Sequence, residues 1–283
     1  PHASAAYMAQ HILANEGITI PFITTLHGTD ITLVGKDASF EPVITFAINE
    51  SNAVTAVSES LKQDTYEHFD IKRDIHVIPN FICLEEQVFK GCTDNLRTSF
   101  APNGEKVLIH ISNFREVKRV QDVIKIFDIV RKQVPAKLIL VGDGPERHKM
   151  EELCRELHAC DAIKFLGKVK DTERVLAATD LFLLPSQTES FGLAALEAMA
   201  AKVPVISTNT GGLPEVNKQG FSGFLSNVGD VEDMANNALK ILANEETLTT
   251  FKNNAFAQAQ LFDIKKILPM YEELYLSLIN END

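Results

Sequence analysis

Apolar residues along this chain gather in short runs, and between the runs they recur at every third or fourth position. That alternation predicts buried strands interleaved with helices. From Glu105 onward the runs are Val107–Ile111, Leu138–Val141, Ile163–Leu166, Leu181–Leu184 and Val203–Ser207. After the first of them, Val120, Val123, Ile124, Phe127 and Val130 share one helical face. After the second, Gly142-Asp143-Gly144-Pro145 leads into a helix that extends to Leu157. Strands apolar on both faces belong to a parallel sheet covered by helices on both sides, so a complete doubly wound α/β domain is expected here.

The preceding part repeats the pattern in fewer elements. Tyr7, Met8, His11, Ile12 and Leu13 have helical spacing, Ile20–Leu26, Ala53–Val57 and Ile75–Ile78 read as strands, and Ser58 is placed to cap a helix over Leu61–Phe69. The polar stretch Glu85–Gly104, with Gly91, Pro102 and Gly104, reads as the connection. The expected division is a first domain over 1–92, a second over 93–265, and a helix over 266–283 packing back on the first. The opening, Pro1-His2-Ala3-Ser4, enters a helical pattern at once, which leads to the expectation that the first domain is incomplete in this chain.

Composition narrows the partners. A formal net charge of -12 over 283 residues argues against a nucleic-acid backbone or an anionic membrane as the main partner. No apolar run approaches the roughly 20 residues of a membrane span, and no secretory leader pattern is read. Cys83, Cys92, Cys154 and Cys160 have neither metal-ligand spacing nor a Cys-x-x-Cys motif, so reduced thiols, no metal and a cytoplasmic location are expected.

The chemistry concentrates after Leu184. Glu189-Ser190-Phe191-Gly192-Leu193 leads into a helix read as starting near Phe191, which carries Glu197 in an otherwise uncharged run. A bare backbone at Gly192 lets an anion approach the first helical amides, and two carboxylates can each accept paired hydrogen bonds from vicinal hydroxyls. Arg115, Lys118 and Arg119 crowd a helix start, where the dipole disfavours cations, so an anion is expected among them. Taken alone, the glycines of 142–145 and Gly211-Gly212 read as turns, and His27 as an ordinary polar residue.

Two glutamates with seven residues between them, enclosing Phe-Gly-Leu, resemble the signature of glycosyltransferase family 4, retaining enzymes of the GT-B fold. The resemblance implies two Rossmann-like domains facing a cleft, a UDP-sugar donor as substrate and no required cofactor. Lys118 would grip the diphosphate, Glu189 and His27 the hexose, and Glu197 the ribose, with Lys118, Glu189 and His27 as the catalytic set. Phe191, Gly192, Leu193, Gly142 and Val169 would line the donor. The family has an Arg where Asn113 stands, so Arg115 or Arg119 would supply that charge. His2, Ser4, Thr29 and Asp30 would face the acceptor. Pro1–Ala5, Leu26–Thr32, Val54–Ser58 and Ser112–Arg119 narrow the likeness to members that transfer N-acetylglucosamine from UDP-GlcNAc to L-malate in bacillithiol formation. One departure is Thr45, where those members lead to the expectation of an Arg for an acceptor carboxylate; Lys36 or Lys62 could supply that charge instead. Small molecules and a second copy of the chain are the expected partners. Transfer to another hydroxylated acceptor, epimerisation of UDP-GlcNAc and UDP binding without turnover are the alternatives. A nicotinamide dehydrogenase would need a Gly-x-Gly-x-x-Gly between strand and helix, which is absent.

Overall fold

The runs that read as strands pair in parallel. In the computed structural model, which describes residues 2–28, 31 and 39–280, they form two separate sheets. The chain divides into two compact units, one taking in residues 1–81 and 264–283, the other 82–263.

The first unit contains α1 (His2–Ala14), β1 (Ile23–Leu26), α2 (Glu41–Asn49), β2 (Ala53–Ala56), α3 (Glu59–His68) and β3 (Ile75–Val77). Its strands lie in the order β1-β2-β3, with Thr24 opposite Val54 and Val54 opposite Ile75. The middle strand is buried along its whole length, which is why Ala53–Ala56 carries no charge. Ser58 caps α3 by accepting the Leu61 amide at 3.1 Å.

The second unit opens with two short helices, α4 (Leu84–Gln87) and α5 (Asp94–Phe100). The stretch expected as a bare connection is therefore structured: Phe100 is buried and Arg97 reaches Asp180 at 2.6 Å. There follow β4 (Lys106–Ile111), α6 (Val120–Arg131), β5 (Ala136–Val141), α7 (Arg147–Glu156), β6 (Ile163–Gly167), α8 (Thr172–Leu176) and β7 (Leu181–Leu184). Next come α9 (Leu193–Ala200), β8 (Val205–Thr208), α10 (Leu213–Val216), β9 (Gly223–Ser226), α11 (Val231–Leu242) and α12 (Glu245–Ala259). The last helix, α13 (Ile264–Asn280), groups with the first unit, where Tyr271 meets Phe81 edge-on at 6.5 Å.

Six parallel strands in the order β6-β5-β4-β7-β8-β9 make a sheet whose order reverses between β4 and β7. Val120, Val123, Ile124, Phe127 and Val130 of α6 pack into the core against Leu108, Leu138 and Leu183. Each fully buried side chain of this size contributes about 1.5 to 3 kcal/mol. In a sheet of this kind the carboxyl ends of the strands on either side of the reversal, here β4 and β7, are where a ligand crevice is expected.

Candidate active site

The loops after β4 and β7 meet at that crevice. The Gln187 amide donates to the Val117 carbonyl at 2.8 Å, tying one loop to the other. Lys118 Nζ donates to Glu189 Oε1 at 2.6 Å, and Ser186 Oγ donates to the same oxygen at 2.9 Å. Both charged side chains are largely covered, with 22% and 14% of their surface exposed. The loop after β8 braces Glu189 from behind. Gly212 donates its amide to the Glu189 carbonyl at 2.9 Å, and Thr208 donates to the Ser186 carbonyl at 2.7 Å. Gly211 has φ +56, and a Cβ there would lie 1.9 Å from the Glu189 carbonyl oxygen, so only glycine allows the approach.

Helix α9 starts at Leu193, two residues later than the apolar pattern suggests, because Gly192 adopts φ +99 as its cap. A Cβ on Gly192 would press 2.6 Å from Leu213 Cδ2, so the glycine serves the turn as well as leaving the backbone bare. Phe191 is buried edge-on against Phe262 at 5.6 Å. The Gly192 and Leu193 amides lie at the start of the helix, where backbone N–H groups have no intrahelical carbonyl to bond and suit an anion. Glu197 is half-buried on α9. Burial raises its carboxyl above the usual range, and the charge of Glu173 adds to the effect. Among the described residues no cation or hydrogen-bond donor meets that carboxylate.

Two of the three cations expected around an anion also have carboxylate partners within the protein. Arg119, the left-handed cap of α6, is bound to Asp122 at 2.6 Å, and that carboxylate is 2% exposed. With Lys118 on Glu189, two of the three charges are matched by protein carboxylates. Arg115 is exposed and has no ion pair among the described residues. Asn113 is exposed as well, and its carbonyl sits where a Cβ on Gly144 would come within 2.0 Å. Gly142, at φ +121, donates its amide to the Gly167 carbonyl at 2.8 Å, which joins the turn after β5 to the loop that carries half-buried Val169.

In the first unit, exposed His27 follows β1 and lines a cavity of about 350 Å³ together with His2 and Ser4. Most of the remaining lining is apolar, including Phe22, Val43 and Ile44. Thr29, Asp30 and Lys36 lie outside the described residues. Thr45 donates its hydroxyl to Glu41 at 2.7 Å, and Lys62 is paired with Asp74 at 3.5 Å. Among the described residues no cluster of three or more His, Cys, Asp or Glu is placed to hold a metal.

Sequence reasoning missed Ser186, Gly211 as the brace behind Glu189, and the buried His110 with its half-buried partner Ser112. The signal for the last was a histidine inside the otherwise apolar run Val107–Ile111.

Comparison with known proteins decides the family. Residues 93–258, more than half of the chain, match the family model of glycosyl transferases group 1, and residues 2–86 match that of glycosyltransferase family 4. The chain is a group 1 glycosyltransferase. It is 44% identical over 285 residues to N-acetyl-alpha-D-glucosaminyl L-malate synthase of Bacillus anthracis, an alignment covering 100% of this chain and 74% of that protein. An uncharacterized glycosyltransferase of Methanocaldococcus jannaschii is 30% identical over 223 residues, covering 72% of this chain and 56% of that protein. Among solved structures, Anabaena HepE in complex with UDP and glucose superposes with a TM-score of 0.81 at 25% identity, over 91% of this transferase and 72% of HepE. The fold is therefore GT-B, built of Rossmann-like α/β domains.

Proposed function

We propose that this glycosyltransferase moves N-acetylglucosamine from UDP-GlcNAc to the hydroxyl of L-malate with retention at the anomeric carbon, a step of bacillithiol formation. The observation that carries the reading is the 44% identity to a synthase of that name, sustained over the full chain. The arrangement after β4 and β7 supports it: Lys118 and Glu189 meet at 2.6 Å beside the opening of α9, and Glu197 on that helix has no partner among the described residues. HepE was crystallised with UDP and glucose, which supports a UDP sugar as donor here.

In this reading Lys118, Arg115 and the Gly192 and Leu193 amides hold the diphosphate. Glu197 accepts the ribose hydroxyls, and Glu189 and His27 orient the hexose. As the glycosidic bond lengthens, charge accumulates on the leaving diphosphate oxygen and the anomeric carbon becomes oxocarbenium-like. Fixed cations and amides aimed at that oxygen stabilise the transition state more than the ground state. The same oxygen takes the proton from the malate hydroxyl as it attacks the face the diphosphate leaves, so no protein nucleophile is required. Asn113, Phe191, Gly142 and Val169 line the donor, and His2, Ser4, Thr29 and Asp30 the acceptor.

Incubating the full chain with UDP-GlcNAc, with and without L-malate, tests the reading through UDP release. Release that depends on malate is expected. Release with a neutral sugar but none with malate would overturn the acceptor and leave a transferase of another substrate, and conversion of the donor with no acceptor present would favour an epimerase.

A further inference from the structure

His110 stands in β4 with no surface exposed. Its Nδ1 lies 2.8 Å from the Leu183 carbonyl of β7, and because a carbonyl only accepts, Nδ1 carries the proton and Nε2 is bare. Nε2 lies 2.8 Å from Ser112 Oγ, so the hydroxyl donates to the ring. The same hydroxyl oxygen accepts the Phe114 amide at 3.3 Å. Three linked hydrogen bonds thus run from β7, through an imidazole and a hydroxyl, to the backbone of the loop that carries Lys118.

That backbone needs holding. Phe114 is bulky and fully buried, yet it adopts φ +39, a conformation that persists only where its surroundings over-determine it. Ser112 fixes its amide, the Glu146 amide donates to its carbonyl at 3.0 Å, and its ring stacks on His110 at 6.4 Å. Lys118 follows four residues on, and Leu183 lies just before the loop that carries Glu189. The imidazole therefore ties the two loops together from beneath, while Gln187 and Val117 tie them across the top. Burial, and then the Lys118 charge, push the ring down to about 4, so it keeps one neutral tautomer across ordinary pH.

We infer that His110 and Ser112 form a positioning device, setting where Lys118 meets the donor diphosphate. The inference rests on the proposed role of Lys118. A residue that merely filled the core would change the melting temperature and leave the folded site as it was. A positioning pair acts through Lys118 and loses its effect when that charge is gone.

The test is a double-mutant cycle on UDP affinity, measured by calorimetry on the full chain. Ser112→Ala is expected to weaken UDP about fivefold, the scale of one hydrogen bond of about 1 kcal/mol, and to have no effect in the Lys118→Ala background. His110→Gln, whose amide oxygen can still accept from Ser112, is expected to retain more affinity than His110→Ala. An equal loss in both backgrounds, or no loss from Ser112→Ala where Lys118→Ala itself weakens UDP, would overturn the positioning role. A chain that binds no UDP, or binds it unaffected by Lys118→Ala, would overturn the functional reading beneath it.

Discussion

A lysine already 2.6 Å from a carboxylate must divide its charge when a diphosphate arrives, and Lys118 is in that position. In the proposed reading the Glu189 contact holds the ammonium until donor binds, and Ser186, which donates to the same Glu189 oxygen, would retain the carboxylate when Lys118 turns toward phosphate. Lys118→Ala is expected to lower kcat/KM at least tenfold, the equivalent of a charged hydrogen bond of about 1.5 to 3 kcal/mol, with weaker UDP binding in calorimetry. The two arginines should separate. Arg115→Ala is expected to weaken UDP with little change in melting temperature, whereas Arg119→Ala leaves a buried Asp122 without its closest cation and is expected to lower stability by about 1 to 3 kcal/mol. Glu197 adds a pH dependence. Its carboxyl is raised by burial and by Glu173, so as pH falls it takes up a proton sooner than an exposed glutamate and would lose its proposed capacity to accept from ribose hydroxyls. UDP affinity should therefore decline on the acid side, and Glu197→Gln should start from weaker affinity and flatten that decline; a decline unchanged in the variant would remove Glu197 from the ribose site. The motif residues were legible because their types are chemically specific. The partners that hold them were not: nothing near Arg119 in the sequence told that Asp122 would be buried and paired with it.

At the scale of elements, the loops of the candidate site pack so closely at their glycines that a Cβ there would clash with neighbouring backbone. Gly142→Ala would combine φ +121 with a Cβ 1.8 Å from the Ser112 carbonyl oxygen. The loop of Lys118 must shift, so a loss of about 1 to 3 kcal/mol in stability together with weaker UDP binding is expected by thermal melt and calorimetry. Farther from the site, Asp180 joins α5, β4 and α12 through Arg97, the Val107 amide and Lys252. Burial works against its charge, but Lys252, the Val107 amide and Arg97 prevail and hold the carboxyl below the usual range. A depressed carboxyl contributes stability that is present above the unfolded value of about 4 and lost as pH falls through the folded one. Asp180→Asn should accordingly cost stability at neutral pH, and the gap to the unsubstituted chain should close in acid. Strands were legible because a buried parallel strand has to be a continuous apolar run, as Leu181–Leu184 is. β9 was not, since Gly223–Ser226 offers only two apolar residues. Nor were α4 and α5, whose polar sequences are fixed by contacts such as Arg97 with Asp180. The first unit closes at residue 81 rather than 92, because Ile82 donates its amide to the Phe262 carbonyl at 3.1 Å and belongs with the second.

For the molecule as a whole, charge and composition fit a transferase of small polar substrates. No helix among the described residues is long and apolar enough to cross a membrane. The proposed donor site is the half for which the sequence offers specific candidates, because diphosphate and ribose call for cations, bare amides and carboxylates at strand ends. The acceptor half offers fewer: Thr45 is committed to Glu41 and Lys62 to Asp74, so the two carboxylates of the proposed acceptor, malate, need cations from elsewhere. The most direct measurement is proton NMR and mass of the product formed by the full chain from UDP-GlcNAc and L-malate. The account predicts N-acetylglucosamine joined through the malate hydroxyl, with an anomeric coupling constant that matches the configuration of the donor. Free N-acetylglucosamine, an epimerised donor or an inverted anomeric centre would contradict it.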